Sequence, residues 1–185
     1  MDAVRIHVPS ELFAPAESSH FEGTFDLPVM KAGPDLHSFS EPLAWQVDVT
    51  NTGDAFLVAG TVEGEATTFC ARCLDEFSFP VTGEIEGYYL IGSETEAPQD
   101  MDADEFDVLP DDNTIDLEPL IKAALMLEFP LVPLCDDDCR GLCPTCGANL
   151  NEGPCGCEPV SEEETGDEAP PNPFSVLKGF PFEEK

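Results

Sequence analysis

Apolar and polar side chains alternate along the first half of the chain in short runs, the spacing of strands with one buried face. Val4-Arg5-Ile6-His7-Val8 and Phe21-Glu22-Gly23-Thr24-Phe25-Asp26-Leu27 suit edge or half-buried strands, and Gly33-Pro34 reads as a linker after them. Residues 43–50 and 55–62 predict two strands joined by Asn51-Thr52-Gly53-Asp54, a turn whose Asn and Gly tolerate positive φ. A third extended stretch reaches Phe69 and a fourth runs over residues 77–91. Together they predict an antiparallel sheet, curled towards a partial barrel, whose edges need closing or covering.

The period changes at residue 116. Asp116 can cap a helix, Glu118 sits in its favourable first turn and Pro119 is tolerated there. Leu117, Leu120, Ile121, Ala124 and Leu125 then share one face, and Pro130 ends the run. A helix over 116–129 covering the sheet gives an α+β fold class, mostly β. The β-rich core domain spans residues 1–134.

Charge alters this picture in one place and limits function throughout. Thirty-nine acids oppose seven scattered bases, for a formal charge of −32. From residue 94 to 118 there are eleven acids and no base, so residues 93–115 are expected to form an acidic loop. No Asp spacing there matches a calcium loop. So negative a chain disfavours coating nucleic acid and favours partners with basic surfaces. No apolar run is long enough to span a membrane, and Met1-Asp2-Ala3-Val4-Arg5 does not read as an export signal. The expected location is the cytoplasm. Walker, Rossmann, His-Glu-x-x-His and Gly-x-Ser-x-Gly motifs are missing, so neither an enzyme nor a small-molecule substrate is expected.

The eight cysteines carry the most specific chemistry. Outside an export pathway, disulfides are a poor default. Cys70-Ala71-Arg72-Cys73 lies between two predicted strands, while Cys135, Cys139, Cys143, Cys146, Cys155 and Cys157 crowd into residues 135–157. Cys143-Pro144-Thr145-Cys146-Gly147 has the form of a zinc knuckle, two thiolates on a tight turn with a glycine that lets the backbone fold back. A four-sulfur structural zinc site is expected on Cys143 and Cys146, with one of Cys135 or Cys139 and one of Cys155 or Cys157. The unused pair can then join Cys70 and Cys73 in a second site. His7, His20 and His37 are far in sequence and are expected to be surface or packing residues. A redox role for Cys70 and Cys73 is the rival reading, weakened by the acidic field and by the lack of a strand–CxxC–helix pattern.

Residues 158–185 form an acidic linker and a short apolar docking segment, Asn172-Pro173-Phe174-Ser175-Val176-Leu177-Lys178-Gly179-Phe180. With it the chain resembles the YceD family of large ribosomal RNA subunit accumulation proteins. The resemblance rests on Cys70-Ala71-Arg72-Cys73-Leu74-Asp75-Glu76-Phe77, on Ile115-Asp116-Leu117-Glu118-Pro119-Leu120-Ile121 and on Cys139-Arg140-Gly141-Leu142-Cys143-Pro144-Thr145-Cys146-Gly147-Ala148-Asn149-Leu150-Asn151. The closing Asn172-Pro173-Phe174 and Leu177 complete it; relatives often carry Asp-Pro-Arg where this chain has Asn172-Pro173-Phe174. The resemblance implies a non-enzymatic role in the synthesis, processing or stability of large-subunit (23S) ribosomal RNA during ribosome biogenesis. Many members of the family lack the later cysteines, so the zinc module is not expected to be the common function. The charge points to ribosomal proteins or assembly factors with basic surfaces as partners. Arg72 and Arg140, beside the cysteines, are candidates for a local rRNA contact, and Phe174 and Leu177 for partner contact. A general zinc-stabilised interaction module is the alternative.

Overall fold

The computed structural model describes residues 4–92, 101–102 and 105–157. Its strands are β1 (Arg5–His7), β2 (Ser18–Phe25), β3 (Val29–Ala32), β4 (Asp35–Ser38), β5 (Leu43–Asn51), β6 (Ala55–Phe69), β7 (Glu76–Leu90), β8 (Asp107–Val108) and β9 (Thr114–Asp116). The helix α1 covers Glu118–Glu128. Seven strands form one curled sheet, and β1 pairs with β9 in a separate ribbon. The central strand is β6: β7 runs antiparallel along its whole length, while β5 and then β4 take its other edge. β2 extends the sheet from β5, β3 from β4, and β8 pairs in parallel with β7.

The second and third extended stretches prove to be one strand. Phe56, Val58, Val62, Ala66 and Thr68 are all buried at even positions, so the alternation passes through Gly60 and Gly64 without a break. At about 3.3 Å per residue, β6 and β7 make a hairpin roughly 50 Å long. Gly33 and Pro34 do not form a linker: they are the turn of the β3–β4 hairpin, with Gly33 at φ 59°. The described part of the expected acidic loop holds β8 and β9, because Leu109 and Ile115 are buried and anchor it while its acids face outward.

The helix begins at Glu118, two residues after its expected start. The expected cap is displaced as well: Leu117 is the N-cap and offers no side-chain bond, while Asp116, at the end of β9, accepts the Glu118 backbone N–H on Oδ1 at 3.0 Å. Leu117, Ile121, Ala124 and Leu125 are buried against the sheet. At Gly83 a Cβ would lie 2.9 Å from the Ala124 backbone, so helix and strand approach at a distance only glycine allows. His37 is buried and stacked on Phe129, ring centroids 3.9 Å apart, and burial lowers its pKa against the opposing pull of Asp35. His20 bonds Asp48 on the surface.

Candidate metal centres

The far end of the β6–β7 hairpin turns on Cys70-Ala71-Arg72-Cys73. The turn closes tightly: the Cys70 N–H donates to Asp75 O and the Leu74 N–H to Cys70 O, at 2.8 and 2.9 Å. Leu74 has φ 65°. Cys143-Pro144-Thr145-Cys146 repeats this design, with the Gly147 N–H donating to Cys143 O at 2.8 Å and φ 74° at Gly147. The two knuckles share a backbone, but only the second has the glycine that the left-handed region favours.

The eight sulfurs fall into two groups, Cys70, Cys73, Cys135 and Cys139, and Cys143, Cys146, Cys155 and Cys157. This is not the expected partition, which shared the first knuckle of the tail between its two flanks. The chain after Phe129 passes the hairpin tip, Ala71 donating its N–H to Pro133 O at 2.8 Å, so Cys135 and Cys139 meet Cys70 and Cys73 instead. Within each group all ligand atoms lie inside 4.8 Å of one another. Cys70 and Cys139 sulfurs are 3.7 Å apart, Cys73 and Cys135 sulfurs 3.6 Å. A tetrahedral ion with metal–sulfur bonds of about 2.3 Å needs edges of about 3.8 Å, so both groups fit such an ion.

The electrostatics favour one. Burial pushes the Cys70 thiol up, but backbone donors at Cys73, Cys135 and Arg72 outweigh it and bring it down to about 6. Backbone donors at Cys146 and Thr145 do the same for Cys143, also to about 6. Neighbouring sulfurs push Cys157 up to about 12, and burial raises Cys135. In each group one thiolate forms easily and its negative charge resists the next; a bound cation removes that conflict.

Polar groups lock the tail onto the hairpin. Arg72 Nη1 donates to both Asp137 O and Cys139 O at 3.0 Å, and the Leu142 N–H donates to Arg72 O at 3.1 Å. Asn149 Nδ2 donates to Asp75 at 2.6 Å. Asn151 Nδ2 reaches the Cys139 sulfur at 3.3 Å while its Oδ1 accepts the Arg140 N–H at 2.7 Å. Arg72 therefore holds two carbonyls of the tail, a use its position beside cysteines did not disclose. Arg140 is exposed beside the first group. Phe174 and Leu177 lie outside the described residues. Asp75, Asn149 and Asn151 escaped sequence reasoning as positioning residues; their signal was the polar composition immediately after each knuckle.

The sequence profile of the family described as large ribosomal RNA subunit accumulation protein YceD matches residues 58–181, which is more than half of the chain. An uncharacterized protein of Mycobacterium tuberculosis is 38% identical over 111 residues, covering 57% of this chain and 50% of the relative. A chloroplastic large ribosomal RNA subunit accumulation protein YCED homolog 1 of Zea mays is 31% identical over 144 residues, 64% of this chain and 49% of its own. Its counterpart in Arabidopsis thaliana is 28% identical over 140 residues, 63% of this chain and 44% of its own. The chain spans about half the length of the curated relatives it matches. No solved structure matches it.

Proposed function

The chain belongs to the YceD family, and from that premise we propose that it is a non-enzymatic, cytoplasmic factor supporting large-subunit (23S) ribosomal RNA during ribosome biogenesis. The observation that carries this reading is the reach of the family match, from Val58 near the start of β6 through both cysteine groups to residue 181. The names of the plant relatives give the role its direction. Each centre would hold one zinc ion: four thiolates suit a soft tetrahedral metal, and a set closed by four sulfurs leaves no position for a reacting water. Such zinc stabilises the fold. Cys70 and Cys73 lie between two strands, which weighs against thiol–disulfide catalysis because among the described residues no helix N-terminus stands behind either sulfur.

Partners follow from charge. A chain at −32 repels the phosphate backbone, and each four-thiolate zinc site deepens the negative field. Ribosomal proteins or assembly factors with basic surfaces are therefore the direct partners, with rRNA reached through them.

Depletion from cells, followed by subunit profiles and pre-rRNA mapping, tests the role; accumulation of large-subunit precursors is expected. Affinity capture with and without ribonuclease tests the route. Basic ribosomal proteins should remain bound after digestion. Unchanged subunit profiles would leave a general zinc-stabilised interaction module, and tight binding to naked rRNA with none to basic proteins would overturn the charge argument.

A further inference from the structure

The helix α1 carries more apolar surface than the sheet can cover. Its inner stripe is Ile121, Ala124 and Leu125, yet Ala123, Met126 and Leu127 face outward. Leu127 is 84% exposed, and past the helix end Leu131 is 97% exposed. Elsewhere this chain guards its outer surface with acid: Glu63, Glu65, Glu84 and Glu86 occupy the outward positions of β6 and β7. From Pro119 to Leu127 there is none. Between α1 and β3 lies a groove of about 450 Å³ lined by Leu27, Val29, Met30, Lys31, Lys122 and Met126. Two of the seven bases of the chain thus flank one apolar groove, although Lys122 also bonds Glu118 at 2.6 Å. A solvated helix face in so acidic a protein has no reason to be bare of acid unless something covers it.

We infer that the occupant is the chain's own C-terminal segment, residues 172–182. It matches the groove in both respects. Phe174, Val176, Leu177, Phe180 and Phe182 supply apolar side chains; the segment's own charge is Lys178, and the charge opposite to the two lysines comes from its flanks, Glu162, Glu163, Glu164, Asp167 and Glu168 before it and Glu183 and Glu184 after. The connection is long enough. The chain from Cys157 to Phe174 spans up to about 55 Å when extended, against a radius of gyration of about 15 Å for a fold of this size. Tethering places the segment at an effective concentration in the millimolar range, so a weak apolar contact suffices to fill the groove. The family match extends over α1 and on to residue 181.

The test uses the full metal-loaded chain with a benzophenone amino acid at Ala123 or Met126, both lining the groove, prepared in light and heavy isotopic forms and mixed. Light activation should link the probe to residues 172–182 of the same chain. The double substitution F174A/L177A should reduce the link several-fold, and Lys31→Glu should reduce it less. Links between light and heavy copies would assign the face to a second copy and overturn the inference. Loss of all self-linking, or linking that ignores F174A/L177A, would also overturn it. As a second measurement, amide exchange at residues 123–127 should accelerate several-fold in F174A/L177A, while β6 and β7 exchange as before; equal exchange at 123–127 counts against the docking. None of these readouts depends on the ribosomal role.

Discussion

The two four-cysteine groups share donor chemistry and knuckle geometry, yet they hold different things together. Cys70 and Cys139 are 69 residues apart in the chain, and their group sits where the hairpin tip meets the incoming tail, with Cys70, Cys73 and Cys139 buried. Cys143, Cys146, Cys155 and Cys157 come from one short stretch, and Cys146 is exposed. A metal in the first group closes a long loop and joins two parts of the fold; in the second it closes a short loop, the one that carries Asn149 to Asp75 and Asn151 to the Cys139 sulfur. The entropy removed from the unfolded chain grows with loop length, so the first centre has the larger lever on stability. Hydrogen bonding by Arg72 to Asp137 O and Cys139 O reinforces the asymmetry, while the Asn149–Asp75 bond ties the second loop to the hairpin tip as well.

Metal removal gives the largest effect. A strong chelator should unfold residues 135–157 while the β5–β7 sheet and α1 persist, seen as amide exchange collapsing in the tail and surviving at Val58, Ile85 and Leu125. A structural zinc site contributes on the order of 10 kcal/mol to folding of its own ligands; survival of an ordered tail in chelator would break the picture of both centres.

Single-ligand changes separate them. Cys139→Ser should lower the metal count in native mass spectrometry by one and free the Ala71–Pro133 contact, with faster exchange at Ala71. Cys157→Ser should also cost one metal but leave exchange at Ala71 unchanged. Equal effects of the two substitutions would erase the division of labour.

Arg72→Ala is next. It leaves two carbonyls of the tail without a charged donor, and hydrogen bonds to charged groups contribute about 1.5–3 kcal/mol. The expected result is faster metal loss from the first group alone, followed by a colorimetric chelator, with Arg72→Lys restoring part of it.

The smallest effects come from the residue after each knuckle. Gly147→Ala should destabilise the second centre by about 1 kcal/mol, because φ 74° disfavours any Cβ. Leu74→Gly relieves the same strain in the first and should stabilise it by a few tenths of a kcal/mol, up to about 1. Thermal melts of the metal-loaded variants decide the signs, which should be opposite.

Much of this was legible beforehand. The alternation in residues 43–91 disclosed antiparallel strands, since one buried face imposes period two whatever the partner, but Gly60 and Gly64 hid that β6 is one strand. The stripe from Leu117 to Leu125 disclosed the helix. The spacing of Cys143 and Cys146, with Gly147 behind them, disclosed a knuckle because that turn needs those residues locally. The partition of sulfurs was not legible, for it depends on where the chain after Phe129 passes relative to a hairpin tip sixty-odd residues earlier in sequence. The bonds of Arg72 were hidden for the same reason: nothing near it in sequence shows that the carbonyls of Asp137 and Cys139 are brought to its Nη1.

By itself the sequence determined which residues alternate, which turn, which can hold a metal, and how strongly the molecule repels phosphate, because all of these follow from side chains and their near neighbours. Tertiary structure alone decided which four sulfurs come together, that Arg72 holds two carbonyls of the tail, and that one face of α1 is left bare of acid. Those are consequences of long-range packing, in which a 50 Å hairpin (about 3.3 Å per residue) carries one knuckle to the place where the other half of its site arrives.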